Sequence, residues 1–470
     1  MPANPWPEHD SYDDPINSLL SDLSAEDELM VEINTVSLSS SRFQGRRRKA
    51  ALVLTIVWSG TIALHLVSWS FVLILGLTAI LGIHALRLVF AKNRPYTPSI
   101  KALENPPSVS ILVAAKNEEA VIGRLVHNLC HLDYPHGQYE VWIIDDNSTD
   151  NTLHLLTELA QQYQQLRIFS RPPQSSGGKS GALNQLLPLT KGEIIAVFDA
   201  DAQVVPDLLL QVIPLFQQKN VGAVQVRKAI ANAKKNFWTK GQMAEMSLDM
   251  WFQQQRTTIG GIGELRGNGQ FVRRLALENC GGWNEETITD DLDLTIRLHL
   301  EKWDIECVFD PPVEEEGVVN VISLWHQRNR WAEGGYQRYL DYWDLILKNR
   351  MGTWKTWDLM IFLLTMYILP TAAVPDFLMS IIRHRPPVLS SVATLSLTMS
   401  FVGMFAGLKR VRQEQRFTFS TYLLLLMQTI RGSLYMLHWL VVMTSTTARM
   451  SFRPKHLKWV KTVHTGMNPE

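Results

Sequence analysis

Glu193-Ile-Ile-Ala-Val-Phe-Asp-Ala-Asp201 decides the fold of this 470-residue chain. An apolar run this short, bounded by charge, describes a buried strand rather than a membrane span. Asp199 and Asp201 follow it on alternate positions, at the strand's carboxyl end. Two carboxylates so placed can hold Mg²⁺ or Mn²⁺, hard ions that take oxygen ligands and share them with phosphates. An Asp-x-Asp string alone is weak, since most such strings cap helices or face solvent. Here it also follows Gly178-Lys-Ser-Gly-Ala-Leu-Asn184. That run lacks the spacing of an ATPase phosphate loop, yet Lys179 beside glycine-freed backbone N–H groups suits a diphosphate.

Outward from this point, strands and helices alternate. Residues 109–115 form a buried strand, and Val121, Ile122, Leu125, Val126 and Leu129 follow at helical spacing. Residues 139–144 form a second strand that runs directly into Asp145 and Asp146. Asn147-Ser-Thr-Asp150 is turn and N-cap chemistry for a helix through Leu153, Leu156 and Leu159, and 166–169 is a further strand. The alternation predicts an α/β domain with a mostly parallel sheet and helices on both faces. In such sheets ligands sit at the carboxyl ends of strands, where both aspartate clusters lie.

Two later clusters complete the set. Thr289-Asp290-Asp291 opens an amphipathic helix, so Asp290 and Asp291 are either partners of the helix dipole or a general base for a hydroxyl group. Gln327-Arg-Asn-Arg330-Trp331 joins a guanidinium suited to phosphate oxygens with an indole suited to a sugar face.

The ends of the chain are apolar. Residues 50–90 hold two spans that turn near Ser68-Trp69-Ser70, with Arg42–Lys49 before them and Arg87, Lys92 and Arg94 after. The positive-inside rule places the flanks, and the catalytic block with them, in the cytoplasm, which makes the chain a multi-pass membrane protein. Residues 359–382 and 388–408 read as two more spans. Residues 422–443 read as a third, but Arg431 sits near its middle, and an odd count would carry the basic tail to the far side against the same rule. Phe237, Trp238, Met243, Met246, Met250 and Trp251 share a stripe that fits either core packing or a helix in the headgroup layer. His65 and His84 in the spans fit helix contacts better than metal ligation.

The expected organisation is an acidic disordered tail over 1–41, a basic cluster with two spans over 42–97, and the α/β domain with interfacial helices over 98–350. Two or three spanning or interfacial helices occupy 351–448, and a basic tail 449–470. Lys and Arg number 45, as do Asp and Glu, so no global basic field argues for nucleic acid. Three scattered cysteines suit a reducing compartment.

The ordered set D-D, K-S-G-A-L-N, D-A-D, T-D-D and Q-R-N-R-W resembles the family 2 glycosyltransferases, which share the GT-A fold. The likeness covers roughly 109–345. Residues 41–47, 229–249 and 445–455 are similar, in addition, to cyanobacterial members that glucosylate lipid. That resemblance implies transfer of glucose from UDP-glucose to the free hydroxyl of 1,2-diacylglycerol, with inversion and with Mg²⁺, in a plasma or thylakoid membrane. It implies Asp145 or Asp146 at uracil, Lys179 at the nucleotide or its diphosphate, Asp201 on the metal, and Asp199 near ribose, sugar and metal. Asp291 takes the place of the catalytic base, with Asp290 where Glu is common in the family. Gln327, Arg330 and Trp331 match the motif that binds diphosphate and the acceptor end of the site. A processive polysaccharide synthase would share these motifs and is the rival reading. No residue pattern sets an oligomeric state.

Overall fold

The computed structural model describes residues 45–92, 105–135, 137–412 and 418–452. The acidic tail over 1–41 and most of the basic tail over 449–470 lie outside the described residues. Two apolar helices come first, α1 (Arg46–Leu66) and α2 (Ser70–Val89). The α/β domain then begins with β1 (Val109–Ala115), α3 (Ile122–Cys130), β2 (Tyr139–Asp145), α4 (Thr152–Gln162), β3 (Leu166–Ser170), α5 (Gly178–Leu186) and β4 (Ile194–Phe198). It continues through α6 (Leu208–Val212), β5 (Val221–Ile230), α7 (Phe237–Thr258), β6 (Gln270–Arg273), α8 (Arg274–Asn279), α9 (Asp290–Leu300), β7 (Asp304–Glu315) and α10 (Val321–Leu347). The last helices are α11 (Thr353–Leu363), α12 (Leu369–Arg383), α13 (Ser390–Val411), α14 (Phe419–Met436) and α15 (His438–Phe452).

One seven-stranded sheet runs in the order β3-β2-β1-β4-β6-β5-β7. β3, β2, β1 and β4 are parallel, β6 is antiparallel to both its neighbours, and β5 and β7 are parallel to each other. The strand order reverses between β1 and β4, which opens a crevice at their carboxyl ends. β1, β2 and β4 are buried on both faces, as strands covered by helices must be. β7 carries Pro311 and Pro312, which a central strand would not tolerate; as the last strand of the order it needs no second ladder.

Among the described residues four helices are long and apolar enough to cross a membrane: Arg46–Leu66, Ser70–Val89, Thr353–Arg383 and Ser390–Val411. The third is α11 and α12 joined through a π-helical turn at Leu364–Ile368. The run 422–443 is not one helix. It breaks at Leu437 into α14 and α15, and both halves are tied to the α/β domain. Tyr435 hydroxyl and Trp439 Nε1 donate to Glu245 of α7 at 2.9 and 2.8 Å, and Arg449 donates to Asn329 of α10 at 2.5 Å. α7 itself is packed between the sheet and the helices α13 and α14 rather than lying open to headgroups. A Cβ on Gly403 would stand 2.7 Å from the Trp251 ring, and one on Gly407 would collide with the Ser247 carbonyl. Only glycines allow α13 this close an approach to α7.

Both span histidines meet carboxylates. His65 bonds Asp376 at 2.7 Å, and Asp376 also accepts the backbone N–H groups of Val388 and Leu389 ahead of α13. His84 stands 3.6 Å from Asp358. Arg46 grips Asp341 of α10 through two nitrogens, so α1 is fastened to the α/β domain at its start.

Arg328 of α10 is fully buried and donates to Glu245 at 2.5 Å. Removing one partner of such a pair leaves a charge without compensation, at a cost of about 3–5 kcal/mol. Glu245→Ala should therefore lower the unfolding temperature in detergent sharply, and Glu245→Leu combined with Arg328→Met should recover most of the loss.

Candidate active site

The carboxyl ends of β2 and β4, the start of α5, the start of α9 and the first half of α10 face one cavity of about 1170 Å³. Asp146, Lys179, Asp199, Asp201, Asp290, Asp291, Gln327, Arg330 and Trp331 all line it. Asp145 does not. Its carboxylate turns back to the Ser148 N–H at 3.4 Å, inside its own turn. Asp146 is held instead by Arg171 Nη1 at 2.7 Å, and Arg171 also donates to the carbonyls of Ser176 and Gly178. The sequence reading missed Arg171, which follows β3 with no local signal. It couples the β2 end to the glycine run.

That glycine run is the start of a helix. Gly177 precedes α5 with φ +82° and Gly178 opens it with φ +53°, a backbone that side chains rarely adopt. Unsatisfied N–H groups at a helix start favour anions, and here they border the cavity beside Lys179. Lys179 Nζ lies 2.5 Å from Asp199 Oδ1. Burial would lower its pKa, but the carboxylates of Asp199, Asp290 and Asp291 raise it above the ordinary value. Those same three carboxylates act on Arg330, where burial wins and the pKa falls. Acids from β4 and α9 and bases from α5 and α10 thus share one field, although up to 150 positions separate them in the chain.

Asp201 is buried, and its Oδ2 accepts the Glu316 N–H at 2.9 Å. Asp199 keeps 41 % of its side chain exposed to the cavity, and its backbone N–H donates to the buried Asn268. Among the described residues no group of three or more His, Cys, Asp and Glu is placed to hold a metal ion. Two oxygen donors at a strand end still fit Mg²⁺ or Mn²⁺, because such ions keep waters and take the rest of their shell from substrate phosphates.

At the start of α9, burial and then the charge of Asp290 push the Asp291 carboxyl up to about 6, against the Leu292 N–H, Arg266 and Lys228, which favour its ionised form. Asp290 Oδ2 is buried without a hydrogen bond. Lys228 of β5 pairs with Glu315 of β7 at 3.2 Å, and its ammonium lies 4.9 Å from the centre of the Trp331 ring. Arg328 lies 4.0 Å from the same ring. Two cations therefore fix the indole. Gln327 accepts from Arg328 at 2.6 Å. Lys228, Arg266 and Glu315 were not legible in the sequence, because β5, β6 and β7 meet only through long-range pairing.

Below this cluster Glu264 is fully buried between Arg266 at 2.7 Å, Arg338 at 3.0 Å and Arg256 at 3.7 Å. Burial opposes its charge, yet the three guanidiniums hold it far below the usual carboxylate range.

Comparison with known proteins places this geometry. Residues 110–281 match the glycosyl transferase family 2 model. The chain is 74% identical over 468 residues to a beta-monoglucosyldiacylglycerol synthase of Nostoc sp., covering 99% of each protein. It is 53% identical to the synthase of that name from Synechocystis sp., covering 99% of this chain and 97% of the relative. The chain belongs to glycosyl transferase family 2. Among solved structures, a mannosyltransferase from Pyrobaculum calidifontis in complex with GDP-Man and Mn²⁺ is 20% identical with a TM-score of 0.49, covering 78% of this chain and all but 1% of that one. The mostly parallel sheet with one reversed strand, β6, is the GT-A core expected of the family, and the apolar helices flank it.

A carboxylate with a pKa near 6 is a base above that pH and an acid below it. If turnover needs its ionised form, kcat/KM should be level above about pH 7 and fall about tenfold per unit below about pH 6. Asp290→Asn removes the like charge, so the acid limb should move to lower pH. A pH–rate series on both proteins measures this.

Proposed function

We propose that this transferase moves glucose from UDP-glucose to the sn-3 hydroxyl of 1,2-diacylglycerol, with inversion, giving beta-monoglucosyldiacylglycerol. One observation carries the reading: the cavity that holds the carboxylates and Lys179 is continuous with a space walled by the apolar helices, through Leu81, Phe362, Leu369 and Met404. Near-complete identity in length with the named synthases supports glucose as the sugar and diacylglycerol as the acceptor. The wall is mostly apolar, with polar groups such as Asp358, Ser396 and Ser433 set among hydrocarbon side chains, which suits acyl chains better than a growing polysaccharide.

In the proposed reaction Asp291 accepts the proton of the acceptor hydroxyl as its oxygen attacks the anomeric carbon, on the face opposite UDP. General-base assistance of this kind is worth about 10²–10⁴-fold. Lys179, the α5 N-terminus and Arg330 stabilise charge on the departing diphosphate, and they are fixed before the reaction begins. Asp146 stands where the uracil would lie, with Asp145 shaping the turn behind it. Mg²⁺, or Mn²⁺ in its place, held by Asp201 and Asp199, would supply Lewis acidity towards the diphosphate. Gln327 and Trp331 border the acceptor side. Asp290 keeps Asp291 basic and is its runner-up as the base.

The four spans, with α14 and α15 both tied back to the α/β domain, suit an even number of crossings. On this reading Arg449, near the end of α15, lies on the catalytic side with the Arg46–Lys49 cluster, and basic flanks favour a cytoplasmic placement of that side. An even count of crossings also keeps the basic tail on the side that the positive-inside rule favours.

Expression in a host without glucolipids, followed by lipid mass spectrometry, should reveal a hexosyl-diacylglycerol and no insoluble polymer. A polymer would overturn the reading. Asp291→Asn should keep UDP-glucose affinity by calorimetry and lose about 10²–10⁴-fold in turnover; near-normal turnover would remove Asp291 from its role. Asp201→Ala should weaken nucleotide binding only in the presence of Mg²⁺.

A further inference from the structure

The cavity does not end at the catalytic cluster. From Arg266, which acts on Asp291, a line of charge leads through Glu264 to Arg256, then to Asp358 of α11 at 2.8 Å, and then to His84 of α2. Arg256, Asp358 and His84 all line the cavity. Each is buried, and each has an atom with no hydrogen bond: Arg256 Nη2, Asp358 Oδ1 and His84 Nδ1. Arg256 is 4 % exposed, yet one nitrogen of its guanidinium has no acceptor. Buried donors in folded proteins are almost always matched, and an unmatched one beside an open space points to a ligand.

Beyond this collar the wall turns apolar along helical stripes. Ala393, Leu397 and Ser400 of α13, with Leu389 just ahead of it, line the cavity, as do Leu81, Ala85 and Leu88 on one face of α2. The interval from Leu389 to Ser400 rises about 16 Å at 1.5 Å per residue. One leaflet contributes only about 15 Å, half of a hydrocarbon core of ~30 Å. The groove is therefore long enough to take an acyl chain lengthwise.

Resting on the acceptor class given under Proposed function, we propose that this groove is the seat of the acceptor. One acyl chain lies along the α2–α13 stripes, and its ester carbonyl accepts from Arg256 Nη2 at the collar. The glycerol hydroxyl is thereby delivered from within the helices to Asp291. The collar explains why a donor is left unmatched at the boundary between the polar and apolar halves of one cavity: an ester is the polar group a diacylglycerol presents at that depth.

Two variants of the full chain, assayed in nanodiscs with dipalmitoylglycerol and dioctanoylglycerol, test this. Arg256→Lys keeps a charge for Asp358 and Glu264 but loses the second nitrogen of the fork. It should raise KM for diacylglycerol roughly tenfold with KM for UDP-glucose unmoved. Ala393→Phe fills the groove away from the charges and should lower kcat/KM for dipalmitoylglycerol roughly tenfold more than for dioctanoylglycerol. An unchanged chain-length ratio in Ala393→Phe overturns the proposal, even if Arg256→Lys fails to fold. If wild-type protein glucosylates neither lipid, the acceptor reading itself is wrong and the groove assignment falls with it.

Discussion

A carboxylate without access to water survives only if opposite charge surrounds it. Glu264 meets that condition through arginines drawn from α7, from the segment before β6 and from α10. Each of those arginines has a second task. Arg266 also grips Asp249 and biases Asp291, Arg256 reaches Asp358 in the apolar helix α11, and Arg338 lies over the Phe362 ring of that same helix. The position of the catalytic cluster relative to the apolar helices is set at this point. A buried ion group of this kind costs desolvation, and replacing it with hydrocarbon would often be more stable. What it supplies is a fixed orientation between two halves that otherwise meet through interchangeable apolar contacts.

Electrostatic crowding is the second organising feature. Asp199, Asp290 and Asp291 stand close enough to raise Lys179 and to act on Arg330, although the first follows β4 and the other two open α9. Within this field the two acids of α9 differ. Asp291 carries the raised pKa, and its partner supplies part of the reason. Neighbouring carboxylates thus divide into one suited to proton transfer and one that tunes it.

How much of this could be read beforehand follows from what is local. β1, β2 and β4 are short, largely apolar runs, and β2 and β4 lead straight into aspartates, so these strands and the acids at two of their ends were visible in the sequence. The second half of the sheet was not. β6 has four residues beside glycines, and β7 has prolines at its centre, so neither carries the usual strand signal. Asp145 and Asp146 looked equivalent as a pair, but alternation along β2 sends one into the turn and the other to the cavity. Residues 422–443 counted as a single apolar run because hydropathy is blind to Glu245, the partner almost 200 residues away that draws Tyr435 and Trp439. In the motif Gln327-Arg-Asn-Arg330-Trp331, Arg328 received no role from the sequence and is a fully buried anchor.

The bonds from α1 have a bearing on biogenesis. Arg46 and His65 find their partners in Asp341 and Asp376, 295 and 311 residues later. At about 5–20 residues per second, roughly 15–60 s of translation separate the two ends of each bond. For that interval the first apolar hairpin has neither partner, and the His65 imidazole sits unclaimed among hydrocarbon side chains. The hairpin's final seating therefore has to follow synthesis of α12, which brings Asp376.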